Sequence, residues 1–148
     1  MDASVVAKWY IMEEDFEKAL RIRDLHSAGE ITLSSPMLVV YELGNTLSKH
    51  PSFTVDDSEK AFQSFLDLSL KLRSFAEHKL LRRSFEISRE LRITFYDALY
   101  VTLAKESQAT LITADKQLHN KVKRYCDTKL LGEVALEELA SGRSVREA

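Results

Sequence analysis

Between Thr94 and Asp115 the chain passes through an acid that opens an apolar helix, then a short strand, then a second acid. The helical part is Thr94-Phe-Tyr-Asp-Ala-Leu-Tyr-Val-Thr-Leu-Ala-Lys105, predicting a helix over Tyr96 to Glu106. Thr110 to Thr113 is short and rich in β-branched residues, and predicts a strand. An acid just past a strand, following an apolar helix, belongs to a parallel α/β layout, where ligands sit beyond the carboxyl ends of the strands.

The rest of the chain repeats that alternation. Asp2 to Ile11 predicts a short helix after a strand that is nearly absent. Asp15 to Ala28 carries Phe16, Ala19, Leu20 and Ile22 at helical spacing, with Gly29 placed to close it in a left-handed conformation. Ile31 to Ser34 predicts a strand, and Ser35-Pro36 an N-cap with proline at the first helical position. The helix Pro36 to Lys49 turns Val40, Leu43 and Leu47 to one face and sets Glu42 and Asn45 one turn apart. It ends at His50-Pro51, because the residue before proline avoids helical angles. Helices are expected over Asp56 to Leu68, Glu77 to Leu91 and Lys116 to Tyr125, and strands over Leu72 to Phe75 and Lys129 to Leu131. A last helix from Glu133 is expected to fray around Ser141-Gly142. No repeat, low-complexity segment or linker divides residues 1–148, which read as one domain.

Composition narrows the classes. At 148 residues and 45% apolar, with four Gly and two Pro, the chain has enough material for a helix-rich core. Cys126 is alone, so neither a disulfide framework nor a cysteine-based zinc site is available, and a reducing interior is expected. No apolar run approaches the ~20 residues of a membrane span. Nor does a basic segment followed by an apolar core open the chain, so a cytoplasmic protein is expected, with no membrane partner. The formal charge of −2 rules out a general polycation. Any attraction to nucleic acid must come from local patches.

Asp2, Glu42, Asp97 and Asp115 are the candidate site. Singly, each has an ordinary reading. Thr94-x-x-Asp97 matches a capping box, and Asp115 stands where an N-cap belongs. Glu42 reads equally as a surface residue of an amphipathic helix, and Asp2 as a charged terminus. The set is more telling, because mostly uncharged or apolar residues surround each acid. Two carboxylates ~5 Å apart repel by about 3 kcal/mol at an effective dielectric of ~20. Protons or a cation must relieve that repulsion. An all-oxygen set without His or Cys selects Mg²⁺ or Mn²⁺ over zinc, and such an ion activates water against a phosphodiester. His26, His50, His78 and His119 lack ligand spacing.

Four blocks carry a family resemblance: Asp2-Ala-Ser-Val-Val, Tyr41-Glu-Leu-Gly-Asn-Thr-Leu47, Tyr96-Asp-Ala-Leu-Tyr100 and Leu111-Ile-Thr-Ala-Asp-Lys-Gln-Leu118. In this order they resemble the PIN-domain family, and in particular its VapC toxins of VapBC toxin–antitoxin pairs. The resemblance covers nearly the whole chain. It implies a three-layer α/β domain, its short-stranded parallel sheet of about five strands flanked by helices. It implies a Mg²⁺- or Mn²⁺-dependent endoribonuclease leaving a 5′-phosphate and a 3′-hydroxyl, usually a homodimer, inhibited by a small VapB-type antitoxin. The family's acids fall on Asp2, Glu42, Asp97 and Asp115, and its supporting polar residues on Ser4, Asn45 and Thr113. One departure stands out: only Met1 precedes Asp2, so the first strand is truncated or vestigial here, or a neighbouring chain completes the pairing.

Basic residues cluster at Lys71, Arg73, Lys79, Arg82, Arg83, Arg89 and Arg92, and again at Lys116, Lys121, Lys123 and Arg124. Such runs are usually solvated helix faces. Lys116 begins beside the proposed site and is the candidate for a flanking RNA phosphate, a contact that positions without reading bases. Trp9, Tyr10, Phe95, Tyr96 and Tyr100 read mainly as core, with Trp9 or Tyr10 also candidates for stacking on an unpaired base. Phe16, Leu20 and Phe62 are candidates for a groove that takes an apolar antitoxin segment. Three rival functions remain. A haloacid-dehalogenase-type phosphatase needs a second Asp two residues after the first, where Ser4 stands. A housekeeping PIN-domain RNA-processing nuclease and a non-catalytic PIN scaffold for RNA or protein are the others.

Overall fold

The computed structural model describes residues 1–76 and 78–140. Helix α1 (Ala3–Ala7) starts directly after Asp2, which caps it, and α2 (Phe16–Ser27) follows. Gly29 ends α2 at φ +74. There the amide of Gly29 donates to the His26 carbonyl, and that of Glu30 to the Leu25 carbonyl, the paired bonds of a Schellman cap.

Strand β1 covers Ser34–Pro36 and β2 Lys71–Arg73; they pair in parallel, Ser34 opposite Lys71 and Pro36 opposite Arg73. Both lie off the expected ranges. Ser35 and Pro36 are strand, not the start of the following helix. Alternate residues of a parallel strand bond to opposite neighbours. The amide of Lys71 donates to the Leu33 carbonyl and the amide of Met37 to that of Arg73. Pro36 therefore turns its missing N–H away from β2 and costs that ladder nothing.

Helix α3 (Leu38–Lys49) leads to α4 (Val55–Asp67). A full capping box of Thr54 and Asp57 starts α4, a signal that Asp56 as first residue overlooks. Helix α5 covers His78–Leu91; Glu77, its expected first residue, lies outside the described residues. Helix α6 (Phe95–Glu106) buries seven consecutive residues, Ala98 to Ala104, so it is covered on every side. It packs lengthwise on α5 and meets both β1 and β3. Thr102, on this buried stretch, shares a hydrogen bond of 2.9 Å with Ser84, which itself donates to the Leu80 carbonyl.

Strand β3 (Leu111–Thr113) pairs in parallel with β4 (Thr128–Leu130), with α7 (Lys116–Val122) as the crossover. A 3-10 turn at Leu131–Glu133 and α8 (Leu136–Ala140) follow. The expected fraying at Ser141-Gly142 lies outside the described residues.

The fold is α/β, but its sheet differs from five continuous strands. Among the described residues it is two parallel pairs, β1–β2 and β3–β4. Met1 and Asp2 sit between them. The Met1 nitrogen donates to the Ser34 carbonyl at 3.1 Å, and the Asp2 amide to the Ile112 carbonyl at 3.2 Å. Two residues thus bridge β1 and β3 where a full strand would run, too short to form a ladder. This arrangement sets Asp2 in the middle of the fold, at the same edge as the end of β3. Val5, Val6, Val39, Leu43, Leu47, Phe65, Ile87, Val101 and Leu111 form the shared core. No helix of the described residues is long and apolar enough to cross a membrane.

Candidate active site

Asp2 is 5% exposed. Its Oδ1 accepts from the Ser4 amide at 3.1 Å and from the Ser4 hydroxyl. Thr113 donates to the same carboxylate. Both hydroxyls also accept a hydrogen bond from the loop after β3: Ser4 Oγ from the Ala114 amide at 2.9 Å, Thr113 Oγ1 from the Asp115 amide at 3.0 Å. Two short relays therefore tie the carboxylate to the sheet edge. Burial pushes the Asp2 carboxyl above its ordinary value, against the Ser4 and Thr113 hydrogen bonds and the Met1 α-amino group, which pull it down.

Glu42 lies half-buried on the second turn of α3 and accepts a hydrogen bond from the Tyr100 hydroxyl. Its carboxyl is also raised, first by burial, then by the negative charges of Asp2 and Asp97, with Tyr100 opposing. Asp2 and Asp97 thus lie within electrostatic reach of Glu42. Asp97 opens α6, where its amide donates to Thr94 Oγ1 at 3.0 Å. Its carboxylate does not return the bond: the capping box formed at α4 is left open at α6. Asp97 thus keeps its oxygens free while Thr94 alone caps the helix.

Asp115 is different. It is exposed, and its Oδ1 accepts from the amides of Gln117 at 2.7 Å and Leu118 at 3.0 Å, capping α7. It does not figure among the charges acting on Asp2 or Glu42. The fold therefore brings Asp2 and Asp97 within electrostatic reach of Glu42, and leaves Asp115 exposed with one oxygen committed to a helix end. Asn45 is exposed one turn along α3 from Glu42, and Lys116 is exposed beside Asp115.

Tyr100 and Ser35 are the contributors that the sequence reading did not single out. Tyr100 is 4% exposed, reaches Glu42, and has Ser35 as a further hydrogen-bonding neighbour. Burial, and then the Glu42 and Asp2 carboxylates, raise its phenol well above the ordinary value, so it remains a donor. The available signal was spacing: Tyr100 stands three residues after Asp97, on the same helical face. Trp9, by contrast, is 6% exposed and donates to the Ala19 carbonyl at 2.9 Å, so it is a core residue rather than a base-stacking one. Leu20 and Phe62 pack against the core, Phe62 within 6.2 Å of the Phe65 ring, leaving less of the expected groove open. In the basic clusters, Arg82 and Arg83 pair with Glu86, and the Lys121 ammonium donates to the Arg92 carbonyl.

The donor set suits a hard divalent cation: carboxylates alone, with the charges of Asp2 and Asp97 raising Glu42 and, among the described residues, no basic side chain acting on it. Among the described residues no group of three His, Cys, Asp or Glu is placed to hold a metal ion, so the chain by itself presents no ready-made cation site. Mg²⁺ does not demand one, since it keeps several waters and takes one or two carboxylates plus substrate oxygens.

Residues 1–124 match the PIN domain family. The chain belongs to that family. It is also 32% identical to Ribonuclease VapC3 of Pyrobaculum aerophilum over 130 residues, 82% of this chain and 92% of that protein. Within the family it is of the VapC type.

Proposed function

We propose that this chain is a Mg²⁺- or Mn²⁺-dependent endoribonuclease, the toxin of a type II toxin–antitoxin pair, acting as one PIN-type domain over residues 1–148. The observation that supports this reading is that the buried Asp2 carboxylate and Asp97 both act on the half-buried Glu42 carboxyl, which the Tyr100 hydroxyl holds. The likeness to a relative named as a ribonuclease supports the choice of RNA.

Asp2, Glu42 and Asp97 would hold the cation, with the free oxygen of Asp115 at the rim. When bound, the cation supplies a nucleophilic water and charge for the phosphate oxygens. The chain's own residues do the positioning. Ser4 and Thr113 fix the rotamer of Asp2, and Tyr100 fixes Glu42. Each donates to one carboxylate and leaves other lone pairs for the site, as supporting residues of metal sites do. Lys116 is exposed beside the rim and meets the phosphate flanking the cut. The reaction hydrolyses a phosphodiester to a 5′-phosphate and a 3′-hydroxyl. A VapB-type antitoxin, a homodimer and a cytoplasmic setting complete the reading.

The test is end-mapping of RNA after incubation with the purified chain and Mn²⁺. Cuts with 5′-phosphate ends, lost in excess EDTA and in Asp97→Asn, are expected. Cleavage that survives both treatments would overturn the proposal.

A further inference from the structure

Seven large apolar side chains are exposed among the described residues, and three of them are near Glu42 or Asp97 in sequence: Met37 at 40%, Tyr41 at 70% and Tyr96 at 61%. Tyr41 immediately precedes Glu42 on α3, and Tyr96 immediately precedes Asp97 on α6. Met37 lies one turn before Tyr41, on the same side of the helix. Of the other aromatics, Phe65, Tyr100 and Trp9 are buried, at 1%, 4% and 6% exposure, and Phe85, away from the acids in sequence, is exposed at 57%. A lone exposed tyrosine calls for no explanation. Two, each next in sequence to an acid on one of two helices that the Tyr100–Glu42 hydrogen bond ties together, are a different matter.

We infer that Tyr41 and Tyr96 are nucleobase platforms, each stacking an unpaired base on one side of the phosphodiester held at the acids. This rests on the ribonuclease reading and adds to it the two residues that hold the bases on either side of the cut. A base offers its face to an aromatic ring only when it has left its own stack, so a duplex presents nothing to these rings. Net charge of −2 denies the chain a general hold on polyanions, and the site itself is acidic. Stacking supplies an attraction that carries no charge and tolerates any base. Anchoring nucleotides to rings on two helices joined by the Tyr100–Glu42 hydrogen bond places the intervening phosphate over the carboxylates.

The experiment uses the full chain carrying Asp97→Asn, so that RNA is bound without being cut. Fluorescence anisotropy with Mn²⁺ compares a mixed-sequence single-stranded oligoribonucleotide with the matched duplex. Tyr41→Ala and Tyr96→Ala, added singly, each weaken single-strand binding about tenfold, whereas Tyr41→Phe and Tyr96→Phe stay within about twofold. Duplex binding is weak and unchanged throughout. Alanine variants that bind like the parent, with circular dichroism unchanged, overturn the inference. So do phenylalanine variants as weak as alanine, which would point to the hydroxyls. A loss of self-association by sedimentation with RNA affinity intact would give the rings to a second copy and overturn it too. The two readings fail separately. Parent chain that cuts RNA, with alanine variants cutting and binding equally well, sinks only the stacking. Parent chain that neither cuts nor binds RNA sinks both.

Discussion

The Tyr100 hydroxyl donates to the Glu42 carboxylate, joining the middle of α6 to the second turn of α3 across the candidate site. The donor is buried and the acceptor half-buried. Tyr100→Phe removes one oxygen and leaves the ring packed. Its effect should therefore fall on the carboxylate rather than on the fold. Cleavage and Mn²⁺ affinity should drop about 10–100-fold, as for other residues that orient metal ligands. KM for RNA should change little. Equal loss of thermal stability in Phe and Leu variants, with Mn²⁺ affinity retained, would make Tyr100 a packing residue only.

Asp115 offers a separable test of cap and ligand. Asn caps helices as well as Asp, so Asp115→Asn should keep the Gln117 and Leu118 hydrogen bonds and the melting temperature. Asp115→Ala should cost about 1 kcal/mol of stability. If Asp115 also serves the cation, the Asn variant loses activity without losing stability. Full activity in the Asn variant would assign Asp115 to α7 alone.

The raised carboxyls of Asp2 and Glu42 have a stability consequence in the absence of divalent ions. Both bind a proton more tightly folded than unfolded, from ordinary values of 3.8 and 4.5. Stability is then fully present below those values and is lost as pH rises through the higher folded ones. Melting temperature in EDTA should decline across that window, less steeply in Asp2→Asn and Glu42→Gln, and Mn²⁺ at neutral pH should restore it. Identical profiles for the parent and both variants would contradict the strained-carboxylate picture.

The α4 cap tests the fold independently of the site. Thr54→Ala opens the box with Asp57 and should cost about 1 kcal/mol, read by urea denaturation, with cleavage per folded molecule unchanged.

Much of this was legible from local chemistry. Gly29 marked the end of α2, Asp115 the start of α7, and Thr94 with Asp97 the start of α6, because caps are satisfied within a few residues. Ser35-Pro36 misled for the same reason: its local pattern fits a helix start, and only the distant Arg73 and Met1 make it a strand. The open capping box at Asp97 was likewise beyond local reading, since α4 and α6 carry the same spacing with opposite outcomes. Tyr100 looked like core, and is; its hydroxyl acquired a role only when α3 was laid against α6. What escaped the sequence was long-range pairing, where two residues far apart decide each other's environment.

Direct Mn²⁺ titration by electron paramagnetic resonance asks most plainly whether Asp2, Glu42 and Asp97 act as one site. The parent chain should bind Mn²⁺, with Asp2→Asn, Glu42→Gln and Asp97→Asn each weakening it at least about tenfold, a loss of ~1.4 kcal/mol. Parent-like binding in all three variants, each folded, would contradict the account.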